Sequence, residues 1–439
     1  MTLRFPHLRP LAALVAAFGA ALLVLALVNR GSAPPTTAPP TSSDAATAAV
    51  PRTTDALIAT LQRALRVRPN DLTARTDLAD AYLQKVRETG DPSFYPRAGS
   101  LLQGVLRIAP RDSGALTVAG TLALARHDFR QGLRLGDAAV RAEPGSVRPL
   151  AVIVDAQTEL GRYADVGRTL QRMIDLKPSL ASYARASYYR ELHGDLRGAA
   201  TAMSLAVDAG GQAPENVAYV QTLLGTLEFD RGRLAEARRA YTIALLRQPG
   251  FPAADAGLAR VEAAQGELPA AIRRYRRVVA RLPLPEYVVG LGEAELAAGR
   301  AAAALRDLAL VGAEERLLQA NGVNTDVDLA LYEASHGSSQ RAVLLARRAY
   351  AAAPSVRSAD ALGWALTRAG HPASGLRFAQ RALRLGSRDP LFLYHAGIAA
   401  RSARQTAEAR HLLTASLSLN PRFSPLWAPR ARAALRTLP

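Results

Sequence analysis

The chain has 439 residues, a formal net charge of +18 and no cysteine, which excludes disulfides, thiolate metal sites, cysteine nucleophiles and cysteine-linked lipid attachment. Hydrophobic residues make up 49% but aromatics only 5%, so any core must come from alanine and leucine in helices that meet through small contacts. No stretch reads as a sheet.

In chain order, Arg4 and Arg9 precede an apolar run, Leu11–Val28, followed by Asn29 and Arg30. At about 1.5 Å per residue the run reaches roughly 27 Å, enough for a hydrocarbon core. Residues 1–30 are therefore expected to be a signal anchor with its transmembrane helix at 11–28. Arg4, Arg9 and the terminal amine outweigh Arg30, which keeps the amino end cytoplasmic and the rest of the chain extracytoplasmic. The alternative is secretion after cleavage, although a cut behind Gly31-Ser32-Ala33 would leave Pro34 at the new terminus. Residues 31–54, rich in proline, threonine and alanine, read as an extended linker. Asp55–Val67 puts Leu57, Ile58, Leu61 and Leu65 on one face and is predicted to be a short capping helix.

From about residue 70 one pattern recurs, clearest at Leu223–Pro249. Leu224, Gly225 and Glu228 fall on one helix, Gly232 breaks it, Leu234, Ala237, Tyr241, Ala244 and Leu245 fall on a second, and Pro249 stops it. Gly225, Ala237 and Ala244 lie where two antiparallel helices approach closely, and Tyr241 fills the neighbouring gap. The alanine after the turn recurs as Ala98, Gly132, Val166, Ala199, Ala237, Ala271, Ala304, Ala342, Gly375 and Ala409, with gaps of 33, 34 or 38 residues. Stop prolines recur as Pro110, Pro144, Pro178, Pro214, Pro249, Pro283, Pro354 and Pro421, with Ser387 in that place once. Helical hairpins should therefore fill residues 55–425, with an insertion around Glu88–Tyr95 and an extension of the seventh second helix over 308–324. A capping helix should occupy 426–439.

This order of small, aromatic, small and proline resembles the tetratricopeptide repeat, whose unit is about 34 residues. The likeness covers about four fifths of the chain and is similar to membrane-tethered or secreted bacterial members of that family. It implies an all-α, right-handed solenoid of about ten hairpins, whose first helices line a concave groove that binds peptide segments or partner domains. Carried onto this chain, the groove positions are Asp155, Glu159, Tyr188, Glu191, Tyr219, Thr226, Arg260, Glu293, Asp360, Trp364, Arg368 and Tyr394. Each one either faces the groove or packs between neighbouring hairpins.

Chemistry-bearing motifs are not legible. His127, His193, His336 and His371 fall at inter-helix turns, no histidine pair has metal-binding spacing, and no phosphate or dinucleotide loop follows a strand. The expectation is a non-catalytic protein-interaction scaffold, tethered by its amino-terminal helix, with no cofactor and no metal. The alternative rests on charge: residues 286–333 carry nine acids against three arginines, whereas 341–439 carry sixteen arginines against Asp360, Asp389 and Glu408. That basic third would attract an anionic polymer, while its sparse aromatics disfavour sequence-specific nucleic-acid recognition.

Overall fold

The computed structural model describes residues 53–211 and 214–439; the expected anchor at 11–28 and nearly all of the linker lie outside them. Helix α1 (Thr54–Val67) packs on the first of ten hairpins, α2 (Leu72–Thr89) with α3 (Phe94–Ile108). There follow α4 (Ser113–Ala125) with α5 (Phe129–Ala142), α6 (Arg148–Glu159) with α7 (Tyr163–Leu176), and α8 (Leu180–Leu192) with α9 (Leu196–Asp208). The central hairpins are α10 (Pro214–Asp230) with α11 (Leu234–Arg247), and α12 (Pro252–Ala264) with α13 (Leu268–Arg281). The seventh is α14 (Pro285–Ala297) with α15 (Ala301–Leu308) and α16 (Leu310–Ala320). The last three are α17 (Asp326–His336) with α18 (Ser339–Ala352), α19 (Val356–Arg368) with α20 (Pro372–Ala382), and α21 (Pro390–Ser402) with α22 (Thr406–Leu419), closed by α23 (Trp427–Arg436). Among the described residues no helix is long and apolar enough to cross a membrane.

Local chemistry sets the boundaries. Helices α3, α5, α7, α11, α13, α18 and α22 each end two residues before a proline, because the ring disfavours helical backbone at the residue preceding it and offers no N–H to the ladder. Starts are fixed by aspartate caps: Asp112, Asp128 and Asp195 accept from Ala115 N at 2.7 Å, Gln131 N at 3.0 Å and Gly198 N at 2.8 Å, each worth about 1 kcal/mol. The insertion at Glu88–Tyr95 lengthens α2 until Gly90 ends it in the left-handed region.

The seventh second helix is not the continuous extension the sequence implied. It breaks at Ala309, where the Leu308 carbonyl accepts from the Tyr332 hydroxyl at 3.0 Å. A side chain that claims a ladder carbonyl is a recognised cause of a helix kink.

Packing follows the small residues. Tyr241 is 1% exposed and wedged between its own hairpin and the next. A Cβ at Gly225 would lie 2.6 Å, and one at Gly257 2.3 Å, from its ring. Most first helices pack on their own second helix and on the first helix of the next hairpin, the stacking of a repeat array.

The array also winds back onto itself. The turn of hairpin two meets the end of hairpin seven: Asn324 N donates to the Arg126 carbonyl at 3.1 Å, and His127 Nδ1 bonds the Asn324 carbonyl. Hairpin three meets the junction of hairpins eight and nine, where Gly161 faces the Pro354 carbonyl and the Tyr163 hydroxyl accepts from Val356 N at 2.8 Å. Hairpin four meets hairpin nine where Gly194 faces the Gly386 carbonyl, and hairpin five meets hairpin ten where Asn420 Nδ2 donates to the Phe229 carbonyl at 2.6 Å. Apolar contacts follow the same line, with Tyr163, Leu192 and Val356 in one cluster against Tyr188, Leu385 and Phe392. This seam joins positions far apart in the chain at four successive steps.

Candidate functional site

Every residue placed on the groove by sequence spacing lies on a first helix. The seam sets hairpins two to five against hairpins seven to ten, and those residues fall into three groups.

The first group is buried pairing. Arg185 donates from Nε to Asp155 Oδ1 at 2.8 Å and from its terminal nitrogen to Oδ2, and a third bond reaches the Ala181 carbonyl at 3.0 Å. Burial pushes the Asp155 carboxyl up to about 6 even though Arg185 pulls it down. Tyr219 is buried beside them. Thr226 donates to the Thr222 carbonyl at 3.2 Å and meets the Tyr241 hydroxyl at 3.1 Å, and Arg260 binds Asp230 at 2.8 Å with its guanidinium 4.0 Å over the Phe229 ring.

The second group is an aromatic stack under the C-terminal cap. Trp364 stacks on His395 with ring centroids 4.3 Å apart, and His395 Nδ1 bonds Asp360 at 3.0 Å. Tyr394 lies 5.9 Å from Trp364 and 5.8 Å from both Phe423 and Trp427; burial pushes its phenol up to about 12. Glu293 accepts from Trp427 Nε1 at 2.8 Å and meets His336 Nε2 at 3.2 Å. Trp364 and Tyr394 thus pack between hairpins, at 1% and 3% exposure, whereas Arg368 is exposed and donates to the Ala334 carbonyl at 3.1 Å.

The third group faces the narrow space between the two superhelical turns. Half-buried Glu159, Tyr188 and Glu191 project from hairpins three and four. Opposite them stand Asp328, Arg357 and Asp389, none of which the spacing rule selected. Glu191 is pushed up to about 8, first by burial and then by the charges of Asp230 and Asp389. Glu159 rises to about 6, with burial the main cause and Arg357 opposing it. Glu286, also missed, rises to about 8 through burial and Asp328. Asp230 shifts upward as well, with burial outweighing Arg260. Asp230, Glu286, Asp328 and Asp389 sit at helix ends or first turns, outside the positions that the resemblance placed on the groove. Their signal was the acid at the helix terminus itself.

The space is small. A cavity of about 40 Å³ between the turns is lined by His127, Phe129, Asp155, Glu159, Asp328 and Arg357 among others, room for a water molecule. Of the turn histidines, His127 takes a left-handed backbone, φ 58°. Burial lowers its pKa, although Asp328 and the Asn324 carbonyl work in the opposite sense. His193 bonds the Tyr189 carbonyl at 2.7 Å. Among the described residues no group of three or more histidines and acids is placed to hold a metal ion.

Outside, the charge asymmetry is partly spent within the chain. Arg341 pairs with Glu315 at 3.1 Å and Glu333 at 3.3 Å, Arg348 with Asp326 at 2.6 Å, and Arg357 with Asp328. The other thirteen arginines beyond residue 340 form no ion pair with an aspartate or glutamate among the described residues, and all thirteen are exposed.

Repeated antiparallel helical hairpins, stacked side by side, define an α-solenoid. Residues 222–284 and 257–316, which span hairpins five to seven, match the family described as tetratricopeptide repeat. No curated protein matches the chain. Among solved structures it is similar to the APC/C hetero-tetramer Cut9-Hcn1 (15% identity over 87% of this chain and 92% of that one, TM-score 0.37). It is also similar to the MamA protein (18% identity, 38% and 91% covered, TM-score 0.30). A third similarity is to Naa15/Naa10 bound to HypK-THB (14% identity, 83% and 61% covered, TM-score 0.28).

Proposed function

We propose that the protein is a non-catalytic interaction scaffold that holds a protein partner through the lining of its first helices. The observation that carries this reading is the tetratricopeptide array itself, a fold that presents many aligned side chains from rigid helices and is generally used for protein–protein interaction. The lining has an excess of acidic side chains, with Glu159, Asp230, Asp328 and Asp389 set against Arg260 and Arg357, while Glu191 and Glu286, raised to about 8, add charge only at higher pH. A complementary partner segment is therefore basic.

Leu11–Val28 is the proposed anchor, with the repeats on the extracytoplasmic side of the membrane or, after cleavage, secreted. Fractionation without detergent tests the anchoring; recovery of the full-length chain in the soluble phase would remove it.

The test of the scaffold is crosslinking and recovery from membranes, comparing the wild type with a Glu159→Gln, Asp389→Asn variant, which removes carboxyls whose pKa stays below neutrality. One recovered protein, lost in the variant at unchanged helicity, supports the concave lining as its site. Undiminished recovery in the variant refutes that placement. A second reading, an anionic polymer on the arginines beyond residue 340, is favoured by the thirteen of those sixteen that form no ion pair with a carboxylate among the described residues. It requires that captured material be polyanionic and be released by moderate salt.

A further inference from the structure

The seam has three properties that together set it apart from ordinary packing. It is narrow: no helix of hairpins two to five packs along its length on a helix of hairpins seven to ten among the described residues. Its hydrogen bonds involve backbone groups, through Asn324 and Arg126, Val356 and Tyr163, and Asn420 and Phe229. It is also periodic, advancing by one hairpin on each side at every step. A contact of this kind can part while each hairpin keeps its own ladder and its own core, because the stacking of neighbours along the array does not depend on it.

We propose that the seam is an autoinhibitory latch: the second superhelical turn closes the concave lining against the first, and the array exposes that lining by unwinding at the seam with its hairpins intact. This rests on the scaffold reading for its purpose but not for its mechanics.

The glycines supply an internal control. Gly161 and Gly194 are both left-handed, at φ 70° and 75°, and a Cβ on either would lie 2.4 Å from the Pro354 carbonyl oxygen or 2.3 Å from that of Gly386. Gly299 and Gly370 occupy the same place in their own hairpins, at φ 73° and 84°, yet nothing lies within 4 Å of a Cβ there. Alanine strains all four turns alike. Only at the first two does it also strike the opposing turn.

The experiment uses the full-length chain, which has no cysteine of its own. Exposed Arg197 and Arg388, which flank the contact of hairpins four and nine, are changed to cysteine and spin-labelled, and their separation is measured by pulsed dipolar spectroscopy. The expected result is a single short separation in the wild-type background and in Gly299→Ala, Gly370→Ala. In Gly161→Ala, Gly194→Ala a second, longer population should appear at unchanged helical circular dichroism. Asn420→Ala, which introduces no backbone strain, should lengthen the separation in the same direction. The latch is overturned by a short separation retained in every variant, by a long one already present in the wild type, by opening in the Gly299, Gly370 control, or by opening that tracks a loss of helicity. Partner recovery is then compared across the same set. More partner on the opened variants joins the latch to the scaffold, and unchanged recovery upon opening refutes both the concave binding site and the autoinhibitory role, leaving only the opening of the seam.

Discussion

Glu191 offers the sharpest test of how the inner space is built. Its carboxyl rises from 4.5 to about 8 because burial disfavours the charge and because Asp230 at the end of α10 and Asp389 at the start of α21 face it with charges of the same sign. A carboxylate whose folded pKa exceeds its unfolded value costs nothing below about pH 4.5. The penalty grows as pH rises from there to about 8 and is constant above. At about 1.4 kcal/mol per pKa unit the full charge penalty at pH 7 is about 3 kcal/mol, and water reaching this half-buried group trims it to about 2 kcal/mol. Glu191→Gln keeps the volume and removes the charge. Urea unfolding at pH 4, 7 and 8, with the m-value checked for constancy, should show equal stabilities at pH 4 and a growing advantage for the variant at pH 7 and 8. Equal stabilities at pH 8, or a variant weaker at every pH, would refute the account of a crowded acidic interior.

Three further outcomes are expected. Arg185→Met strands the buried Asp155 carboxylate and should lower stability by about 3 to 5 kcal/mol, whereas Arg185→Met with Asp155→Leu should recover most of it; chemical denaturation of both variants checks this. Gly257→Ala sets a Cβ against the Tyr241 ring and should destabilise by about 1 to 3 kcal/mol despite alanine's better helix propensity. Tyr241→Leu in the same chain should reduce that loss, as read from melting temperatures. Trp427→Ala should cost about 3 to 5 kcal/mol, and because it also removes the Glu293 donor, hydrogen exchange should accelerate in α19 to α22 before it does in α4 to α9.

The hairpins were legible because their determinants are local. A glycine at Gly225, an aromatic at Tyr241 and a stop at Pro249 all fall within a single repeat, and ten near copies keep them in phase. The candidate lining was legible only in part: the spacing found Glu159 and Glu191 but not Asp328, Arg357 or Asp389, which reach the same space from the opposite turn. The seam left no pattern at all. Its partners come from opposite halves of the chain, and its acceptors are carbonyl groups such as those of Arg126 and Phe229, which every residue carries. Side chains such as His127, Tyr163 and Asn420 take part in it without any shared spacing, and a turn glycine opposed by a carbonyl looks in sequence like one that faces solvent.

The self-contact also bears on how the chain folds. In an open array each repeat feels only its neighbours, so folding can begin anywhere, terminal units fray separately, and a repeat can be deleted at modest cost. Here hairpins two to five are coupled to hairpins seven to ten, which adds loops several hairpins long that must close before the contacts form and slows the final step relative to an open solenoid of equal length. Removing one inner hairpin would shift every later contact out of register with its partner. Coupling of this kind turns a one-dimensional stack into a two-layered unit, in which the amino-terminal half is stabilised by residues that the ribosome makes last.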